Sequence, residues 1–452
     1  MFERVLVANR GEIAVRVVRA LHELGIEAVA VYSTADRDAL HVELADQSVC
    51  IGPPAAAESY LRISNLVAAA ETTGCDAVHP GYGFLAENAD FVRACGDNNL
   101  VFIGPPAKVV EQMGDKVRAK EAMREAGVPL IPGSNGTAGF EELRRAAADA
   151  GFPVLLKAAA GGGGKGMRLV ESEDELHGAL AAARAEAEAA FGDGSVYVEK
   201  LVSPARHVEI QVLCDADDGV LTLGERECSI QRRHQKLVEE SPSTALDPTM
   251  REDMESTVER ACRAIGYRNA GTFEFLVGPD GAFYFIEVNC RLQVEHPVSE
   301  LVTGIDIVRE QIRIAAGEPL ALRGRAPRRG HAIEIRINAE DPARGFLPAP
   351  GTITRFDAPL GPGVRVDTAV RAGSEIPPYY DSMIAKLIVW DDTRDAAIAR
   401  AERALREVEI DGIPTTRDLA LDVLGSPEFR SGDYSTSTLT ELEGRVPSLA
   451  QA

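Results

Sequence analysis

The first hundred residues alternate short apolar runs with helical patterns, and that rhythm restricts the fold more than any other feature of the chain. RVLVA (4–8) reads as a buried strand, EIAVRVVRALHELG (12–25) repeats apolar side chains at helical spacing and stops at Gly25, and EAVAVYS (27–33) is a strand again. CDAVHP (75–80) and LVFIGP (100–105) follow, separated by the helical SNLVAAAETTG (64–74) and ENADFVRACGD (87–97). Strands joined by helices pair in parallel, so a doubly wound sheet with helices on both faces is predicted. Its ligands should gather beyond the carboxyl ends of the strands, at NRGE (9–12) and HPGYGF (79–84).

After the helix GDKVRAKEAMREAGVP (114–129) the texture changes to α+β. FPVLLKA, a glycine run, GMRLVES and an alanine-rich helix over 173–191 form a small unit, followed by VYVEKLV (196–202). Alternating strands then come at HVEIQVLCD (207–215), GVLTLGERECSI (219–230), TFEFLVG (272–278) and FYFIEVN (283–289), with a helix at 299–316. HAIEIRINAED (331–341) opens a third unit of strands and a final helix, DAAIARAERALREV (395–408). The division is therefore 1–113, 114–330 and 331–446, an α/β domain followed by two α+β units.

A net charge of −22 argues against nucleic-acid or anionic-membrane partners, and no apolar run approaches a membrane span. Seven cysteines without CxxC or CxxxC pairing suit reduced thiols in a cytoplasm and make structural zinc an unattractive reading. An acidic protein that handles phosphates must concentrate its cations locally. KAAAGGGGKGMRLV (157–170) is such a place. It satisfies G-x-G-x-x-G at Gly161, Gly163 and Gly166, but MRLVES continues as a strand rather than a helix, and Lys165 precedes glycine rather than Ser or Thr. Neither the dinucleotide fingerprint nor the Walker loop fits. A glycine hairpin that closes over a polyphosphate does, and the absence of HRD and DFG excludes a protein kinase.

FYFIEVNCRLQVEHP (283–297) spaces Glu287, Asn289, Arg291, Gln293 and Glu295 by two, so an extended chain would carry all five on one face. The preceding strand contributes Glu274. A two-residue turn at Pro279-Asp280-Gly281 would put Glu274 across from Glu287, a four-residue turn would place them diagonally, and a three-residue turn would separate them. Two carboxylates ~5 Å apart repel by roughly 3 kcal/mol at an effective dielectric of ~20, a cost that a cation converts into binding. Carboxylate and amide oxygens suit Mg²⁺ or Mn²⁺ on nucleotide phosphates rather than zinc. A solvated ladder on a sheet edge is the other way to read these residues.

HPGYGFLAEN (79–88), MGDK (113–116), KAAAGGGGKGM (157–167), RHVEIQV (206–212), ERECSIQRRHQKLVEE (225–240), FIEVNCRLQVEHPVSE (285–300) and RINAEDP (336–342), in this order, resemble the biotin carboxylases, the ATP-grasp enzymes of biotin-dependent carboxylases. The resemblance runs from ERVLVANRGEIA to the last helix. It implies a biotin carboxylase N-terminal domain over 1–113, an ATP-grasp domain over 114–330 with a mobile glycine-rich lid at about 131–202, and a C-terminal domain over 331–446.

By similarity, ATP phosphates fall to Lys116, Lys157 and the backbone of Gly163 and Gly164. Glu199, Lys200, Leu201 and Val202 frame the adenine, His207, Gln231 and His234 contact the nucleotide, and Glu274, Glu287 and Asn289 hold two Mg²⁺ ions. Lys236, Arg291, Gln293 and the Val294 backbone resemble the bicarbonate pocket, with Glu295 as the base that takes its proton. Arg336 resembles the guanidinium that stabilises the biotin enolate, and Tyr82 and Asp381 resemble supports near biotin. Taken singly, His207 and His234 could be ordinary strand histidines, and Arg336 could pair with Glu334 or Glu340.

Three positions depart from the family: Ala160 ahead of the glycines, Cys290, whose side chain should point away from the catalytic face, and Pro362 near an expected subunit contact. Arg19 and Glu23 resemble residues of a homodimer interface, although an i,i+4 surface pair would explain them equally. No Met-Lys-Met biotinylation site occurs, so the biotin carboxyl carrier protein and the carboxyltransferase are expected on other chains or in a segment removed from this one. The resemblance suggests the subunit of an acetyl-CoA carboxylase serving fatty-acid synthesis, with another acyl-CoA carboxylase as the alternative. An ATP-grasp carboxylate–amine ligase would share the lid and metal site without requiring RLQVEH and RINAED. A nucleotide-binding regulator would lack the catalytic set.

Overall fold

Val5, Leu6 and Val7 are wholly buried, and the strand they form, β1 (Arg4–Val7), lies in the middle of the first sheet. In the computed structural model, which describes residues 1–134, 139–159 and 167–449, this sheet has the order β3 (Gln47–Gly52), β2 (Glu27–Ser33), β1, β4 (Ala77–His79), β5 (Val101–Phe102). All four pairings are parallel, as the alternation predicts. Because β2 and β4 flank β1 on opposite sides, a crevice opens where β1 and β4 end. Asn9 donates to the carbonyls of Pro80 and Tyr82, both at 2.7 Å, and so ties the two loops at that crevice together.

The glycine run 160–166, with Ala160, Gly163 and Gly164, lies outside the described residues. Around it, β6 (Val154–Ala158) pairs antiparallel with β7 (Met167–Val170) and with β8 (Val196–Lys200). Helices Phe140–Ala150 and Glu173–Phe191 cover this sheet, packing Leu143, Ala147, Leu176 and Leu180 onto Val154, Leu156 and Val198.

The largest sheet crosses the boundary expected at 330 without a break. Its order runs from β13 (Phe283–Asn289) through β12 (Asn269–Val277), β9 (Arg206–Cys214), β10 (Val220–Arg232) and β11 (Gln235–Ser241). It then continues into His331–Asn338, Met383–Asp391 and Val364–Thr368. Two apolar layers grip its ends. Phe273, Phe275, Phe285 and Val288 pack toward helix Pro248–Ile265, and Ile333, Ile335, Leu387 and Val389 pack toward helix Arg394–Glu407.

The helix expected over 299–316 is two helices, His296–Thr303 and Ile307–Ala315. Gly304 adopts φ +74° between them and Asp306 caps the second by accepting from Arg309 N–H, so the break follows ordinary stop and start signals. Beyond 408 the chain forms three further helices, Arg417–Gly425, Pro427–Ser431 and Thr438–Leu442. Glu23 faces Arg309 at 3.5 Å rather than Arg19.

Candidate active site

The ribbon β12–β13 turns through three residues, Pro279-Asp280-Gly281, because Val277 pairs with Phe283 and Gly278 N–H donates to Ala282 at 2.8 Å. That is the turn expected to separate Glu274 from Glu287. A β-bulge corrects it. Phe275 still faces Phe285, but the register shifts at Ile286, and Glu274 comes directly opposite Glu287. The same extra residue lets Phe285 and Val288 both enter the core while Glu287 and Asn289 face the cleft.

The five-residue ladder ends early. β13 stops at Asn289, and the chain then folds through a loop into helix His296–Thr303. Arg291 nevertheless converges with the strand. It donates from Nη2 to Asn289 Oδ1 at 2.9 Å, from Nη1 to Gln293 Oε1 at 3.0 Å, and from Nε to Glu87 Oε2 at 2.7 Å. Asn289 and Gln293 in turn donate to Glu274 Oε1, at 2.9 and 3.2 Å. Glu295 does not share a strand face with them; it is fully buried at the start of the helix. Cys290 points into the apolar core, as anticipated.

Lys236 stands at the centre. Its ammonium reaches Glu209 at 2.6 Å, Glu274 at 2.9 Å and Glu295 at 2.5 Å. Glu295 also accepts from Arg336 at 2.9 Å, and Arg336 donates from Nε to Glu239 at 2.6 Å, so its partners are neither Glu334 nor Glu340. Beneath them Arg226, with no exposure, bonds Glu209, Gln211, Ser299 and Thr272. Burial works against the charges of Glu274 and Glu295, yet Lys236 outweighs it with help from His207 and Arg336 respectively, and both carboxyls fall below the usual range. Burial opposes the Lys236 charge as well, but Cys228 and the surrounding carboxylates hold it well above the ordinary lysine value.

A cleft of about 1220 Å³ joins these groups to the crevice of the parallel sheet. Of the residues expected at the site, Tyr82, Lys157, Leu201, Val202, His207, Gln231, His234, Lys236, Glu274, Glu287, Asn289, Arg291, Gln293, Val294, Arg336 and Asp381 line it. Glu199 stands behind the wall, bound to Lys157 at 2.5 Å and to Lys120. Lys200 donates to the carbonyls of Gly151 and Phe152 at 2.7 and 3.3 Å instead of facing the cleft. Lys116 lies close enough to Lys157, Glu199 and Glu287 to share their field, and burial lowers it. Lys157, His207 and His234 thus line the cleft together with Glu274 and Glu287, and Lys116 lies within electrostatic reach of Glu287.

The sequence reading passed over Glu209, Glu239, Glu12 and Lys386. Glu209 shares alternation with His207 on β9, a signal that was available. Lys386 is fully buried and donates to the Val294 carbonyl at 2.8 Å while facing Glu12 at 3.1 Å; Glu12 also accepts from Tyr82. Nothing local marks that link, since its members lie in all three parts of the chain.

The donor set fits a hard divalent ion. Enclosure by the cleft walls and the Glu274 charge push the Glu287 carboxyl above its usual range, the strain that a cation between the two would relieve. His207, Glu209 and Glu274 also bring ligand atoms within 4.8 Å of one another.

The comparisons agree with this geometry. The sequence matches the families described as "Biotin carboxylase, N-terminal domain" over residues 1–110, "Carbamoyl-phosphate synthase L chain, ATP binding domain" over 115–323 and "Biotin carboxylase C-terminal domain" over 334–441. A "Biotin carboxylase" of Nostoc sp. is 54% identical over 443 residues, covering 98% of this chain and 99% of its own. A crystal structure of a Campylobacter jejuni biotin carboxylase described as a beta-gamma-ATP complex superposes with TM-score 0.94 at 49% identity, covering 98% and 99% of the two chains. The biotin carboxylase domain dimer of Hydrogenobacter thermophilus 2-oxoglutarate carboxylase, solved with MgADP, ADP and bicarbonate, gives 0.93 at 50% identity, covering 98% of each. The fold is that of the ATP-grasp enzymes, and the chain is an ATP-dependent carboxylase. Within that class the chain belongs to the biotin carboxylase family.

Proposed function

We propose that this protein carboxylates biotin on a carrier protein with ATP and bicarbonate, as the first half-reaction of an acetyl-CoA carboxylase in fatty-acid synthesis. The observation that carries the reading is the meeting of Lys236 and Arg291 with the Glu274–Glu287 pair on one cleft wall, with Glu295 buried directly behind Lys236. Lys236 and Arg291 bind bicarbonate, with Gln293 and the Val294 backbone fixing its orientation. Glu295, kept ionised by Lys236 and Arg336, accepts the bicarbonate proton as its oxygen attacks the γ-phosphorus and ADP departs. Mg²⁺ or Mn²⁺ held by Glu274, Glu287 and Asn289 would neutralise phosphate charge in that transfer. Lys116, Lys157, His207, Gln231 and His234 hold the nucleotide, and Gly163 and Gly164 are assigned to its phosphates through their amides. Leu201 and Val202 provide apolar wall for the adenine.

Carboxyphosphate then splits to CO₂ and phosphate, the phosphate takes the N1′ proton of biotin, and the biotin enolate attacks CO₂. Arg336, on the wall between Glu239 and Glu295, stabilises the enolate oxygen. Tyr82 and Asp381, which line the cleft, are assigned as supports for biotin. The chain is divided as 1–113, 114–330 and 331–446, with a glycine-rich lid at about 131–202 that excludes water from the labile intermediate. It works as a homodimer in the cytoplasm, beside a biotin carboxyl carrier protein and a carboxyltransferase. Among the described residues no helix is long and apolar enough to cross a membrane.

The purified protein with MgATP should release ADP only when bicarbonate is present, and free biotin should raise the rate. Release that depends on an amine and ignores biotin would replace this reading with a carboxylate–amine ligase.

A further inference from the structure

Glu87 belongs to HPGYGFLAEN, a motif of the N-terminal domain, yet its carboxylate acts on the far side of the domain junction. Oε2 accepts from Arg291 Nε at 2.7 Å and Oε1 accepts from the Cys290 N–H at 2.8 Å. Asn289, Arg291 and Gln293 line the cleft, whereas Glu87 stands outside its wall. A guanidinium in this position has other carboxylates to choose from, because Glu274 and Glu295 are both within electrostatic reach of Arg291. Pairing with either would point the cation at an acid of the site and close it to an anion. Glu87 instead engages the Nε edge from behind. The Nη edge is left on neutral oxygens, the side-chain amides of Asn289 and Gln293 at 2.9 and 3.0 Å and the Leu292 carbonyl at 3.2 Å. Neutral amides are weaker acceptors than carboxylates, so an incoming anion can displace them.

We propose that Glu87 is a positioning residue that aims Arg291 at bicarbonate and thereby sets affinity for that substrate. Bonds to both the side chain and the preceding backbone fix the guanidinium in angle as well as in place. The assignment rests on the bicarbonate reading of the cleft.

The test measures ADP release against bicarbonate at saturating MgATP in wild type, Glu87→Gln, Arg291→Lys and the double variant, with thermal unfolding of each. Glutamine offers one oxygen where two are used and carries no charge, so the bicarbonate KM should rise roughly tenfold or more while the MgATP KM stays within about twofold. In the Arg291→Lys background, which lacks the planar fork, the added Glu87→Gln change should move the bicarbonate KM by less than about twofold. Independent, multiplying effects of the two changes would overturn the proposal. So would an unchanged bicarbonate KM with a lowered unfolding temperature, the mark of a purely structural bond. If Glu87→Gln does not fold, Glu87→Asp, which keeps the charge but withdraws it, is judged by the same KM comparison. A wild-type protein whose ADP release ignores bicarbonate would sink the reading of the cleft and this assignment together; a normal wild-type response with an unaltered Glu87→Gln sinks the assignment alone.

Discussion

Glu239 and Glu240 are neighbours on β11, equally buried, and opposite in behaviour. Alternation sends them to different faces of the long sheet. Glu240 looks toward the C-terminal helices and is saturated: His331 at 2.5 Å, Arg394 at 2.8 and 3.0 Å, and the Tyr434 hydroxyl all bond it. Burial would raise its carboxyl, but His331 and Arg394 bring it down to about 2. Glu239 looks toward the cleft, where Arg336 occupies Oε1 and Oε2 has no partner among the described residues. There burial wins over Arg336, and the carboxyl rises to about 7. Equal burial therefore says nothing about charge state. A structural face fills every acceptor, while a face prepared for ligands leaves capacity open and tolerates the cost.

The widest break in this comparison should come from Glu295→Gln on the cleft face. Removing the base is expected to lower bicarbonate-dependent ADP release by about 10²–10⁴-fold, with the circular-dichroism melt little altered. Next, Glu240→Ala should lower unfolding free energy by ~3–5 kcal/mol in urea titration, because it strands Arg394 without its buried partner. Activity per folded molecule should stay within about twofold, and a parallel loss of activity would dissolve the distinction between the faces.

The smallest effect is the difference in pH dependence. Glu240 titrates below an unfolded glutamate (4.5), so its stabilisation is full above that value and fades as pH falls toward about 2. Glu239 has the opposite sign. Between 4.5 and about 7 the folded protein keeps a proton that the unfolded chain has released, so this group's contribution is lost as pH rises through that window. Glu239→Gln should accordingly gain on wild type, by roughly 2–3 kcal/mol, as urea titrations move from about pH 5 to about pH 8. A pH-independent difference would show that Glu239 is ionised throughout.

How much of this was legible in the sequence differs from residue to residue. The parallel sheet was readable because its strands and helices follow one another with clear periods: β1, β2, β4 and β5 fall where the apolar runs lie, whereas β3, largely exposed and only partly apolar, was not read from the sequence. The Glu274–Glu287 pairing was readable as chemistry but not as register. The three-residue turn argued against it, and only the bulge at Ile286, which lets two aromatic-rich strands keep their core contacts, restored it. Period two also failed beyond Asn289, since Arg291 and Gln293 reach the cleft from a loop. Lys236 drew its place from family likeness; its three acidic partners come from β9, β12 and the start of a helix.

Local order along the chain was enough to determine most of the early strands and helices, the acidic residues of the ribbon up to Asn289, and the family to which they belong, because periodicity and motif spacing are properties of neighbours in sequence. Only the tertiary structure decided which carboxylates face Lys236, that Glu87 reaches Arg291 across 204 positions, and that one sheet continues past residue 330. Those outcomes depend on which distant side chains share a desolvated volume, and no local pattern encodes that.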